Sequence, residues 1–124
     1  MNHPLNLYFG WGWVLLGFLS GAGIGLRFHR PDFLGGYDAL PRRLVRLRHI
    51  CFVALGALNI LFAVSPVKVS TIGTIASACF IAGGVLMPAV CFLSAWRDSF
   101  RRLFFVPVSA LVAAAVFTLI GVSP

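Results

Sequence analysis

The chain divides into four uncharged stretches separated by short polar segments. From Leu5 to Leu26 no residue carries a charge. At a rise of ~1.5 Å per residue such a run spans ~33 Å, enough to cross a hydrocarbon core ~30 Å thick. The pattern predicts helical spans at about 7–27, 48–64, 70–95 and 103–122. The second is the shortest, with Ile50, Phe52, Val53, Leu55, Leu58, Ile60, Leu61 and Phe62 as its apolar positions. A long polar loop, a tight turn near Ser65-Pro66 and a short basic loop connect the four. A cleaved secretory signal carries its positive charge ahead of its apolar core. Here the arginines follow a longer stretch, so the first span reads as a retained helix.

Composition agrees with the pattern. Of 124 residues, 60% are hydrophobic and only 10% are charged, and the mean hydropathy is +0.96. Disorder requires the opposite balance, and so few charges cannot coat a water-soluble surface. The fold class expected is an all-α integral membrane four-helix bundle forming a single domain.

Net charge is +7, which in a soluble protein would suggest nucleic acid. The placement argues otherwise. Arg27, Arg30, Arg42, Arg43, Arg46 and Arg48 form one cluster, Arg97, Arg101 and Arg102 a second, and Asp32, Asp38 and Asp98 sit among them. Lys68 alone occupies the intervening turn. The positive-inside rule then puts both basic loops in the cytoplasm and both termini outside. Tyr8, Trp11 and Trp13 near one end, and Trp96 near the other, suit interfacial aromatic belts.

In the long loop, Pro31 and Gly35-Gly36 mark turns, and Pro41 suits the first turn of a helix. Leu44 and Leu47 with the surrounding arginines suggest a short basic amphipathic turn on the membrane surface. Arg42, Arg43, Arg46, Arg48, Arg97, Arg101 and Arg102 are therefore the expected docking groups for anionic lipid head groups or an acidic partner. Within lipid, helices associate by close packing. Gly17, Gly21 and Gly25, spaced every four residues, predict a helix-contact ridge. Pro88 predicts a kink in the third span.

Candidate chemistry is sparse. His29 and His49 flank the long loop, so a hairpin brings both to one membrane level, where two imidazoles can ligate a haem iron. His3 falls at the opposite end. Cys51, Cys79 and Cys91 lack a Cys-x-x-Cys spacing and are odd in number, so they read as small buried apolar residues. Met87 and Cys91, four apart, form a minor soft-metal alternative. No acid lies within a span, whereas proton-coupled transport usually uses an embedded ionisable group. Small four-helix multidrug exporters match in length, but their first-span carboxylate has no counterpart. There is no phosphate-binding loop, dinucleotide fingerprint or Ser/His/Asp set.

The run Gly21-Ala22-Gly23-Ile24-Gly25-Leu26-Arg27-Phe28 is similar to the glycine-rich first helix of small fluoride channels, whose pore motif is absent here. A longer segment carries Phe28-His29-Arg30, Leu34 to Tyr37, Arg42-Arg43, Arg46-Leu47, His49-Ile50 and Leu58-Asn59. It resembles the first hairpin of a family of small uncharacterised bacterial four-span membrane proteins. That resemblance implies a bacterial inner-membrane location and supplies no activity.

The expected function is a non-catalytic structural or accessory subunit of a larger membrane complex, respiratory or photosynthetic assemblies being natural hosts. Its partners would be membrane lipids and other membrane subunits or further copies of itself. One alternative is a haem-binding electron carrier using His29 and His49. Another is a small channel or transporter with a polar cavity among Ser20, Asn59, Thr74 and Ser77.

Overall fold

The computed structural model describes residues 2–122. It contains four long helices: α1 (Pro4–Gly25), α2 (Leu40–Val64), α3 (Thr71–Trp96) and α4 (Phe105–Gly121). Short 3-10 turns at Phe33–Gly35 and Asp98–Phe104 lie in the connections, and no strand occurs among the described residues. With the Asp98–Phe104 turn counted into the last, all four are long and apolar enough to cross a membrane.

Local chemistry explains most boundaries. Pro4 and Pro41 occupy the first turns of α1 and α2, where the missing N–H costs nothing. Ser70 caps α3 by accepting a hydrogen bond from the Gly73 amide at 3.2 Å. The α2 boundary departs from the expected span. The helix starts at Leu40, not near residue 48, so Arg42, Arg43, Arg46 and Arg48 belong to the same continuous helix as the apolar stretch. The separate surface turn is not formed: Leu44 is buried while Leu47 is exposed.

Each helix packs on its neighbour in sequence: α1 on α2, α2 on α3, α3 on α4. Contact between α1 and α3 is slight, and α1 and α4 share no extended contact. The four helices therefore form a bundle in which α2 and α3 lie inside and α1 and α4 lie at its edges. Val67, in the α2–α3 turn, is fully buried. The Asn2 side chain donates to its carbonyl at 2.8 Å, and Gly121 lies against its side chain. The two ends of the described chain and the Lys68 turn thus share one end of the array. Arg48 lies over the Phe92 ring, which brings the two arginine-bearing connections together at the other end. The best-buried apolar cluster, Phe62, Val67, Ala76, Phe80 and Ala114, joins α2, α3 and α4 nearer the turn.

The α1–α2 seam is set by glycine. A β-carbon on Gly10 would fall 2.6 Å from the Gly56 carbonyl oxygen, and one on Gly17 would fall 2.5 Å from Val53 Cγ2. One on Gly21 would overlap the His49 ring. Gly25 meets nothing within 4 Å, so the ridge runs Gly10, Gly17, Gly21 rather than through Gly25. Overpacking a tight contact costs about 1–3 kcal/mol, against about ±0.5 kcal/mol at a free surface. Gly17→Leu should lower unfolding stability in detergent micelles by the first amount, and Gly25→Leu by no more than the second. Equal effects would contradict this seam.

Candidate functional site

Two polar regions occupy the interior. The first is an amide network toward the end bearing the α2–α3 turn. Asn6 on α1 and Asn59 on α2 are both completely buried. Asn6 Nδ2 donates to Asn59 Oδ1 at 2.8 Å and to the Ser77 carbonyl at 3.3 Å. Ser77 Oγ donates to Asn6 Oδ1. Asn59 Nδ2 donates to the carbonyls of Leu55 (2.9 Å) and Phe80 (3.3 Å). Both amides thus bond to groups on neighbouring helices. His3, also buried, packs its ring 4.6 Å from that of Phe62 and leaves Nε2 without a protein partner.

Pro88 does not break α3, which runs unbroken from Thr71 to Trp96. A proline has no N–H for the carbonyl four residues back, here that of Gly84. The Trp13 indole N–H supplies the missing donor, at 2.8 Å from that oxygen. Trp13 also stacks on Phe9 and meets Phe52 edge-on. Trp13 is thus an inter-helix strut and not a belt residue, whereas Tyr8, Trp11 and Trp96 are exposed. The polar cavity expected among Ser20, Asn59, Thr74 and Ser77 is not assembled. Asn59 and Ser77 join through Asn6, Thr74 is exposed, and Ser20 lies further along α1, beside His49.

The second region is the arginine end. Arg42 is buried to 3% exposure and acts as a staple for the loop. Its guanidinium donates to the carbonyls of Pro31 (3.3 Å) and Phe28 (3.1 Å) and lies over the rings of Phe28 and Tyr37. Arg46 stacks on Tyr37, and Arg43 pairs loosely with Asp38 at 3.8 Å in the open. Arg97, Arg101 and Arg102 are exposed.

Between α1, α2 and the Phe33–Gly35 turn lies a cavity of about 370 Å³. Ser20, Arg27 and Arg48 form its polar lining, and Ile24, Phe33, Leu34 and Val45 its apolar wall. Leu34 holds φ 55°, in the left-handed region, ahead of Gly35 and Gly36 at 86° and 99°. A non-glycine residue there costs about 1–2 kcal/mol, and this strained turn places Phe33 and Leu34 along one side of the cavity.

His49 sits beside the cavity, its ring against Gly21 and Nδ1 3.5 Å from Ser20 Oγ. His29 is exposed in the loop. No hydrogen bond or ring contact joins the two imidazoles among the described residues. Nor do the described residues contain a cluster of three or more His, Cys, Asp or Glu able to hold a metal ion. Cys51 and Cys79 are half-buried and Cys91 is buried, all as free thiols. What the arrangement offers is cationic and hydrogen-bonding recognition beside an apolar wall. Comparison with protein-family models, with curated proteins and with solved structures found no match to this chain.

Trp13→Phe keeps an aromatic ring at the position but removes the indole N–H that donates to Gly84, together with part of the ring volume. Leaving a buried acceptor unpaired costs about 1–3 kcal/mol, and unfolding measurements in micelles should show that loss. Pro88→Ala restores a backbone donor to the same oxygen, so the Trp13→Phe penalty should shrink in that background. An unchanged penalty would show that the ring contacts, not the hydrogen bond, carry the effect.

Proposed function

We propose that this chain is a non-catalytic, multi-pass subunit of a larger assembly in a bacterial inner membrane. In this reading the arginine end faces the cytoplasm, in keeping with the positive-inside rule. The observation that carries it is the unfinished packing of the two edge helices. Only 11% of the α1 span and 11% of the α4 span is buried within the chain, against 39% of α3.

Lipid alone accounts for apolar side chains at an edge. It does not account for edge glycines. A glycine inside a helix costs about 0.5–1 kcal/mol relative to alanine. Gly10, Gly17 and Gly21 repay that through contact with α2. Gly12, on the same helix, meets nothing within 4 Å, and neither does Gly25. In membranes such small residues let another helix approach closely. Exposed Trp11, Leu15 and Leu19 supply large apolar side chains along α1 beside them. The occupant this reading assigns to the α1 edge is a transmembrane helix of a neighbouring subunit.

After extraction in mild detergent, the chain should migrate at a mass well above 13.4 kDa together with other membrane polypeptides. Gly12→Leu should release it from them without changing its own unfolding midpoint. A lone monomer from native membranes, before and after cross-linking, would overturn the proposal. Cysteines introduced into the loops at Arg30 and Arg101 should be labelled only from the cytoplasmic side; labelling from outside would reverse the orientation.

A further inference from the structure

The arginines of the first cluster have different fates, and the difference points to a ligand. Arg42 is taken up by two carbonyls and two rings, Arg46 by Tyr37, and Arg43 has Asp38 nearby. Arg27 and Arg48 line the same cavity, and no carboxylate lines it with them. Arg48 has one face on the Phe92 ring; its Nε, like that of Arg42, is buried without a hydrogen-bond partner, and Arg42 differs in that its terminal nitrogens are taken by the Pro31 and Phe28 carbonyls. The neighbouring residue His49 packs against Gly21, so Arg48, about two turns into α2, lies about one turn, ~6 Å, short of the level where α1 ends at Gly25. That depth corresponds to the junction of acyl chains and head groups if the apolar helices span the bilayer.

We propose that this cavity binds the phosphate of an anionic glycerolipid. Arg27 and Arg48 hold the phosphate oxygens, and the Ser20 hydroxyl offers a further hydrogen bond. Guanidinium groups suit phosphate because their planar fork matches its oxygens. Ile24, Phe33, Leu34 and Val45 take the start of the acyl chains. The mixed lining selects a lipid over a free anion, because half of the wall would otherwise stay unused. The Phe33–Gly36 turn closes over the head group from the aqueous side. The inference rests on the transmembrane placement of the helices and not on the identity of any partner subunit.

The test uses the full chain purified in uncharged detergent, with unfolding midpoint and native mass spectrometry as readouts. Phosphatidylglycerol should raise the midpoint and remain bound as a single adduct. Diacylglycerol, which lacks the phosphate, and inorganic phosphate, which lacks the chains, should do neither. Equal stabilisation by inorganic phosphate would replace the lipid site with a free-anion site, and equal stabilisation by diacylglycerol would reduce it to an apolar groove. Arg27→Gln with Arg48→Gln should weaken adduct formation by at least about tenfold. Arg43→Gln with Arg97→Gln removes the same charge elsewhere and should change it little. Because Arg48 also contacts Phe92, Gly23→Leu provides an independent plug. Gly23 lines the cavity, and its β-carbon direction is open, so this variant should fold and lose the adduct with every arginine intact. Retention of the adduct by Gly23→Leu, or its equal loss in the Arg43/Arg97 control, would overturn the proposal. Carbonate washing of native membranes separates the two levels: release of the chain into the supernatant would instead remove the transmembrane placement itself.

Discussion

A polar group buried among apolar helices has no water to fall back on, and the interior of this protein is organised around that constraint. Its clearest expression is the Gly84 carbonyl, orphaned by Pro88 and recovered by an indole two helices away in sequence. Asn6, Asn59 and Ser77 obey the same rule. Each of these bonds joins helices that apolar packing alone would leave free to slide, since a leucine gains little by exchanging a lipid neighbour for a protein one. Direct α1–α3 contact is slight, yet both the Trp13 and Asn6 bonds cross between those helices. Hydrogen bonding fixes there what close packing does not.

The four helices were legible because a spanning segment must be long and uninterrupted, and charge marks its ends. The start of α2 was not, because arginines read as a boundary even when helix continues past them. Here Pro41 launches the helix outside the apolar stretch, and guanidiniums reach back to carbonyls and aromatic rings instead of open water. The glycine seam was half legible. Steps of four residues overshoot a helical turn by about 40° each, so Gly17, Gly21 and Gly25 drift off any single line. Gly10 lies eleven residues before Gly21, within about 20° of whole turns, and completes the seam instead. Asn6 had no pattern to betray it: one amide in an apolar run acquires meaning only when its partners on α2 and α3 arrive. Trp13 was misread for a related reason, since composition places tryptophan at an interface and only the position of Pro88 explains this one.

At the opposite end, identical side chains are separated by their surroundings. A guanidinium held by backbone carbonyls organises the loop, one stacked on an exposed tyrosine is partly shielded, and one facing an unneutralised cavity remains available. Counting arginines therefore says which side of a bilayer a loop occupies, while their local partners say which of them have recognition capacity to spare. The strained turn at Leu34 adds apolar side chains, Phe33 and Leu34, to the lining of that cavity.

The Trp13–Gly84 bond also makes the proline of α3 conditional. Pro88 leaves a carbonyl that α3 cannot pair from its own backbone, and the donor that quenches it belongs to α1. Taken alone, the third helix would carry a naked acceptor; beside the first it does not. Its tolerance for proline is a property of the pair and not of the segment.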